Sequence, residues 1–219
     1  MGLPSIPPYP LPTPDELPPS RVGWSLMATR AALLIHDMQR YFASAYGSAD
    51  QPLPQVIANI VAIREACDRA GVPVFYTAQP VRQHPIERGL QADFWGPGMQ
   101  LDPEHRAIID PLAPREHDTV LTKWRYSAFQ RSDFAERLAA AGRDQLIVTG
   151  VFAHIGCLAT TFEAFTRDIR PFYVADATAD FSREKHDMAL AIAAGCCARV
   201  MTSRDIVGAL GADSTTEQA

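Results

Sequence analysis

Apolar positions come along this chain in short blocks, each followed by a longer amphipathic stretch. AALLIH (31–36), PVFYT (73–77), QLIVTG (145–150) and residues 119–123, 172–175 and 199–202 are the blocks. Runs of that length, rich in Val, Ile, Leu and aromatics, read as strands buried on both faces. Between them, apolar residues recur at helical spacing over about 54–70, 132–141, 155–168 and 183–194, and Gly142 stands where a helix-ending glycine is expected. Strands alternating with helices predict a parallel sheet covered on both sides. The expected fold is a three-layer, doubly wound, Rossmann-like α/β domain of six mainly parallel strands, spanning residues 31–207.

The two ends fall outside that pattern. Eight prolines precede Arg21, which rules out a regular helix and makes residues 1–30 an extended arm. Such an arm packs on its own domain or crosses to a second subunit; the sequence leaves both open. Residues 208–219 (GALGADSTTEQA) read as a frayed, flexible tail. A long Gly/Pro-rich loop follows the second strand and runs through FWGPGM (94–99).

The architecture says where chemistry should gather. In open α/β sheets ligands bind beyond the C-terminal ends of the strands. Just past those ends stand Asp37, Gln79, Lys123 with Trp124, Phe152 to Gly156, and Asp176. An acid, an amide, a base and several aromatics are thus expected on one rim.

Composition narrows the partners. A chain of 219 residues suits one domain with a substantial core, and 47% apolar with 21% charged residues is ordinary for a folded protein. A net charge of −5 argues against nucleic acid or an anionic membrane, since neutralising phosphates needs a basic face. It still allows one basic pocket for an anionic small molecule. No apolar run reaches transmembrane length, and the proline-rich N-terminus lacks the pattern of a signal peptide. Cys67, Cys157, Cys196 and Cys197 include no CxxC. They read as reduced thiols in a cytoplasmic protein. No HxH or HExxH occurs around His36 or His154, so no metal is expected, and His154 reads as a structural hydrogen bonder.

Single residues carry two readings each. Asp37 is either a cap after the first strand or a carboxyl group in an apolar pocket, where desolvation would raise its pKa and make it a general acid. Lys123 is either a solvated strand-end lysine or, with Trp124, Arg125 and Tyr126, part of an anion clamp with an aromatic wall. Cys157 is either a thiolate stabilised at a helix start or a small buried apolar residue. Gly150 and Gly156 suit a tight turn that brings backbone close to a ligand.

Six stretches, in order, carry a resemblance: AALLIHDMQRYF (31–42), PVFYTAQP (73–80), RGLQADFWGPGM (88–99), LTKWRYSAF (121–129), GVFAHIGC (150–157) and VADATADFS (174–182). They resemble the isochorismatase-like hydrolase superfamily and, within it, isochorismatases proper of the siderophore and phenazine types. Most members of the superfamily are amidases with an Asp–Lys–Cys triad, whose Asp and Lys match Asp37 and Lys123. Counting from Gly150, the family's cysteine falls on Gly156, with Cys157 one residue later and expected to point away from the cleft.

That resemblance implies hydrolysis of an enolpyruvyl vinyl ether without a cysteine nucleophile and without a cofactor. Asp37, kept protonated by its environment, would protonate the terminal methylene carbon. Lys123 would orient Asp37 and offset the pyruvyl carboxylate. Gln79 and Arg88 would bind polar groups of the substrate, with Phe42, Trp95 and Tyr126 as walls. Phe152 and Gly156 would line the same pocket, Phe152 standing where many isochorismatases have tyrosine. The implied substrate is isochorismate, giving 2,3-dihydro-2,3-dihydroxybenzoate and pyruvate; the alternative is 2-amino-2-deoxyisochorismate. A cysteine amidase using Cys157 and a catalytically silent interaction module are the competing classes. A homodimer and the absence of a fused carrier domain are also expected.

Overall fold

The computed structural model describes residues 3–47, 51–100 and 102–213. Six strands form one sheet: β1 (Ala31–His36), β2 (Val74–Ala78), β3 (Thr119–Thr122), β4 (Gln145–Val151), β5 (Arg170–Ala179) and β6 (Arg199–Met201). All neighbours run parallel, in the order β3-β2-β1-β4-β5-β6. The helices are α1 (Arg40–Ala43), α2 (Leu53–Arg69), α3 (Pro85–Arg88), α4 (Gln91–Trp95), α5 (Pro103–Arg106), α6 (Phe134–Ala140), α7 (Leu158–Thr166), α8 (Arg183–Cys196) and α9 (Ser203–Asp213).

The period of the strand explains the layers. Every residue of β1 is buried, and successive side chains leave opposite faces. Ala31, Leu33 and Ile35 join Val56, Ile60 and Ile63 of α2 and Ile206 and Leu210 of α9. Ala32 and Leu34 join Phe134 and Leu138 of α6, Leu158 of α7 and Ala189 and Leu190 of α8. A strand apolar at every position therefore serves two cores, one on each side.

The arm packs on its own domain. Ile6, Tyr9 and Leu11 are buried in the α2/α9 core, Ile6 N–H donates to Ala45 O at 2.8 Å, and Arg21 N–H donates to Ala194 O at 3.1 Å. Apart from a single 3-10 turn at Pro14–Glu16, its described residues contain no helix.

Three expectations need correction. The expected tail begins inside α9, which runs to Asp213 because Ile206 and Leu210 bury one face four residues apart; residues 214–219 lie outside the described residues. β5 continues to Ala179 rather than ending at Ala175, across a register shift opposite Val148 and Gly150. The helix expected from residue 155 is instead a π-helical turn, Ala153–Cys157, leading into α7.

Candidate active site

The strand order reverses direction at β1 and β4, and their C-terminal ends open the crevice where such sheets bind ligands. Asp37 follows β1 directly, in the left-handed region at φ 51°, a conformation that aspartate tolerates better than most residues. Neighbouring strands hold it there. Its backbone N–H donates to Thr77 Oγ1 at 3.0 Å, and the Thr77 hydroxyl donates back to Asp37 Oδ1 at 2.6 Å. Oδ2 accepts from Lys123 Nζ at 2.9 Å and from Gln79 Nε2 at 3.2 Å.

Burial alone would raise the Asp37 pKa. The Lys123 ammonium, the neighbouring His36 and the hydrogen bonds from Thr77 and Lys123 outweigh it, so the carboxyl is held below its ordinary value. The expectation of a protonated Asp37 is therefore corrected for the ligand-free protein. The clamp residue beside the acid favours the carboxylate more than the apolar walls oppose it.

Gln79 links that acid to a second cation. Arg88 Nη1 donates to Gln79 Oε1 at 3.2 Å, and Arg88 Nε donates to Gly96 O at 3.1 Å. Gln79 is itself fixed by Gln39, whose Oε1 accepts from Gln79 N–H at 2.8 Å and whose Nε2 donates to Gln79 O at 3.0 Å. Arg88 is 4% exposed, and among the described residues no carboxylate pairs with its guanidinium. Burial accordingly pulls its pKa down. A buried guanidinium without a counter-ion at the edge of a cleft is a ready partner for an incoming anion.

Aromatic rings enclose the cleft. Phe152 stacks on Phe181 at 4.2 Å between centroids and meets Phe42 edge-on at 5.9 Å. Trp95 lies 6.0 Å from Phe181, and its indole N–H donates to the Tyr126 hydroxyl at 2.8 Å. All nine residues foreseen for the site, from Asp37 to Gly156, line this one cleft, which opens to solvent. Trp124 does not line it. Ligand pockets are commonly of this largely apolar character, with a few polar groups placed among the rings.

The turn after β4 completes the floor. Cys157 N–H donates to Phe152 O at 3.3 Å, closing the wide loop of the π turn, a form often found at functional positions. Asp180 anchors it: Oδ2 accepts from His154 N–H and Oδ1 from His154 Nδ1, each at 2.6 Å. Asp180 N–H in turn donates to the Tyr9 hydroxyl of the arm at 2.7 Å. His154 thus has the structural role expected of it.

Two further sequence readings resolve. Cys157 is fully buried in the α6/α7/α8 core, its Sγ 3.9 Å from Thr149 O, and burial holds the thiol pKa well above its ordinary value. It does not line the cleft and is not a thiolate. Asp176 does not reach the rim either, a second correction. Because β5 runs past it, its carboxylate instead accepts from Ser203 N–H at 2.6 Å and from Ser203 Oγ at 2.7 Å at the start of α9.

Sequence reasoning missed His36 as a wall of the cleft, along with Phe181, Tyr41 and Leu3. The motif VADATADFS carried a signal for Phe181, but reading the strand as ending early hid it. Among the described residues no three His, Cys, Asp or Glu side chains gather closely enough to hold a metal, and no helix is long and apolar enough to cross a membrane.

The Asp–Lys pair spans the sheet from the end of central β1 to the end of edge strand β3, on the side where parallel α/β sheets bind their ligands. Solved structures share the fold. A cysteine hydrolase from Pseudomonas syringae pv. phaseolicola 1448A superposes with a TM-score of 0.81 at 22% identity, covering 90% of this chain and 98% of that one. An isochorismatase family protein from Burkholderia thailandensis gives 0.76 at 25% identity, covering 85% and 98%. Residues 31–205 match the family described as Isochorismatase domain, and the chain belongs to that family.

Curated relatives are closer in sequence. Isochorismatase of Bacillus subtilis (strain 168) is 52% identical over 92% of this chain, which spans 65% of that relative's length. Enterobactin synthase component B of Escherichia coli (strain K12) is 49% identical over 95% of the chain, which spans 73% of that protein. Phenazine biosynthesis protein PhzD of Pseudomonas fluorescens is 51% identical over 94% of the chain and is matched over 99% of its own length.

Proposed function

We propose that the chain is a vinyl-ether hydrolase of the isochorismatase type, with isochorismate as substrate and pyruvate and 2,3-dihydro-2,3-dihydroxybenzoate as products. The observation that carries this reading is the pairing of Asp37 with Lys123 beside a cleft that presents no thiol, where Gly156 stands at the family's nucleophile position. An amide carbonyl needs a nucleophile. An enolpyruvyl ether needs only a proton on its terminal methylene carbon.

Asp37 supplies that proton. The resulting oxocarbenium ion takes up water at the ether carbon, and the hemiketal collapses to pyruvate while the ring oxygen leaves with a proton. The ligand-free protein holds Asp37 ionised, so the substrate must change that balance. A substrate with two carboxylates brings negative charge beside Asp37 and competes for Lys123, both of which raise the Asp37 pKa. The acid is therefore loaded with its proton as the substrate binds. Arg88, buried without a carboxylate partner, receives one substrate carboxylate; Lys123 offsets the other. Phe42, Trp95, Tyr126 and Phe152 pack against the ring, and Gln79 keeps Asp37 and Arg88 at a fixed spacing.

The same cleft suits 2-amino-2-deoxyisochorismate, whose ring differs at one substituent. Phe152 offers that substituent no hydrogen bond. A coupled pyruvate assay on the purified protein with each compound tests the reading and ranks the two, and release of pyruvate from neither would overturn it. The four unpaired thiols suit the cytoplasm. Ile86, Leu90 and Phe94, each more than 70% exposed, are apolar side chains that a second copy of the chain would cover in a homodimer. The mass of the protein in solution checks that assembly.

A further inference from the structure

His36 is fully buried at the end of β1, and no step proposed for Asp37 uses it as an acid or a base. Its Nδ1 lies 2.9 Å from Val151 O. A carbonyl oxygen only accepts, so Nδ1 carries the ring hydrogen and Nε2 keeps a lone pair. Among the described residues no group donates to that Nε2. Burial pulls the ring's pKa down to about 4, which leaves it neutral at ordinary pH. A neutral, fully buried imidazole at this place calls for a reason other than acid–base chemistry.

The reason lies across the cleft floor. A Cβ added to Gly156 would fall 2.2 Å from His36 Cε1, 2.9 Å from Nε2 and 3.1 Å from Nδ1. The imidazole thus occupies the space in which any side chain at position 156 would begin. It cannot easily yield, because Nδ1 is tied to Val151 O and the ring leaves no exposed surface. The backbone below is equally close, since a Cβ on Gly150 would fall 2.2 Å from His36 O.

We propose that His36 is the specificity-determining residue of this cleft: its ring fills the position of the missing nucleophile, so the site can carry out proton-transfer chemistry and cannot accommodate a thiol at residue 156. This rests on the reading of the site as an ether hydrolase. The ring and a cysteine side chain are alternatives for one volume. Loss of the thiol and presence of the imidazole are then a single device, with His36 acting through the shape it gives the wall.

A double-mutant cycle tests it. Gly156→Ala adds only the Cβ and should lower Tm by roughly 5–10 °C with His36 in place. His36→Val opens the space at its own cost, and the double variant should be less destabilised than the two single losses added together. Gly156→Cys adds a readout that depends on the cleft. In His36→Val/Gly156→Cys the thiol at position 156 should react with iodoacetamide at least about tenfold faster than Cys157, which is buried and un-ionised, as followed by peptide mass mapping. Additive losses, or a Gly156→Ala protein as stable as the parent, would overturn the proposal. So would a thiol at position 156 that reacts no faster than Cys157 in a folded double variant, checked by circular dichroism. None of these readouts uses substrate. Failure of the pyruvate assay therefore strikes the ether-hydrolase reading alone, and additive behaviour in the cycle strikes the His36 assignment alone.

Discussion

The Lys123 ammonium stands 2.9 Å from Asp37 Oδ2, and the two side chains are 2% and 6% exposed. Held this far from water, each charge depends on the other. Removing one partner of such a pair typically costs about 3–5 kcal/mol, because the survivor is left buried alone. In Lys123→Met the Asp37 pKa should rise above its unfolded value. Stability is then lost as pH rises, whereas the parent keeps it. Urea midpoints at pH 5 and pH 8 should separate parent and variant most at the higher pH.

Asp37→Ala should abolish pyruvate release while leaving substrate binding largely intact, since Arg88 and the aromatic walls remain. Turnover within about tenfold of the parent would be incompatible with Asp37 as proton donor, because general-acid help contributes about 10²–10⁴-fold.

Loading Asp37 on binding has its own signature. The free carboxyl titrates below its ordinary value, so near neutrality almost none of it is protonated. On this mechanism kcat/KM should fall about tenfold per pH unit on the alkaline side. Calorimetry of the Asp37-containing protein in buffers of different ionisation enthalpy should detect uptake of one proton per substrate analogue bound. An unchanged heat across buffers would count against the scheme.

Arg88 pays a desolvation cost with no carboxylate to offset it. Arg88→Met should therefore leave Tm unchanged or raise it. KM should rise about 10- to 100-fold through loss of a charged hydrogen bond to the substrate. A large fall in Tm would show that the guanidinium is structural.

Cys157→Ala should keep nearly full activity and lose only a modest amount of stability, as expected for a small cavity. Loss of turnover in a folded Cys157→Ala protein would revive the amidase reading. Preincubation with iodoacetamide should likewise leave the parent active.

His186 is buried and held near a pKa of about 4. Its folded value lies below the unfolded one, so its contribution is intact above about pH 6.5 and is lost as pH falls toward 4. Unfolding midpoints measured across that window should drop in the parent. They should drop less steeply in His186→Gln.

The sheet and most of the cleft were legible because buried parallel strands are apolar without interruption, and their ends are where ligands meet such sheets. Asp37, Gln79 and Lys123 could be placed from that rule alone. Phe42, Arg88 and Trp95 needed the family motifs, since they come from the segments outside the strand ends. Three things stayed hidden. Gly208 and Gly211 masked the helical repeat of Ile206 and Leu210, so α9 read as tail. The irregular register opposite Gly150 let β5 run past Asp176, which brought Phe181 to the rim in its place and Asp180 behind the π turn. The sign of the Asp37 pKa shift depends on distances to Lys123, Thr77 and His36, and sequence spacing carries none of those.

The Tyr9 hydroxyl accepts from the backbone of Asp180 and lies 3.4 Å from His186 Nδ1, and Asp180 in turn anchors the π turn through His154. The family match begins only at residue 31. A protein trimmed to that boundary would keep every strand and lose the latch behind its active-site floor. The smallest unit able to hold the cleft in shape is thus larger than the stretch by which the family is recognised, and the prolines that keep residues 3–30 extended let one tyrosine reach across to fasten it.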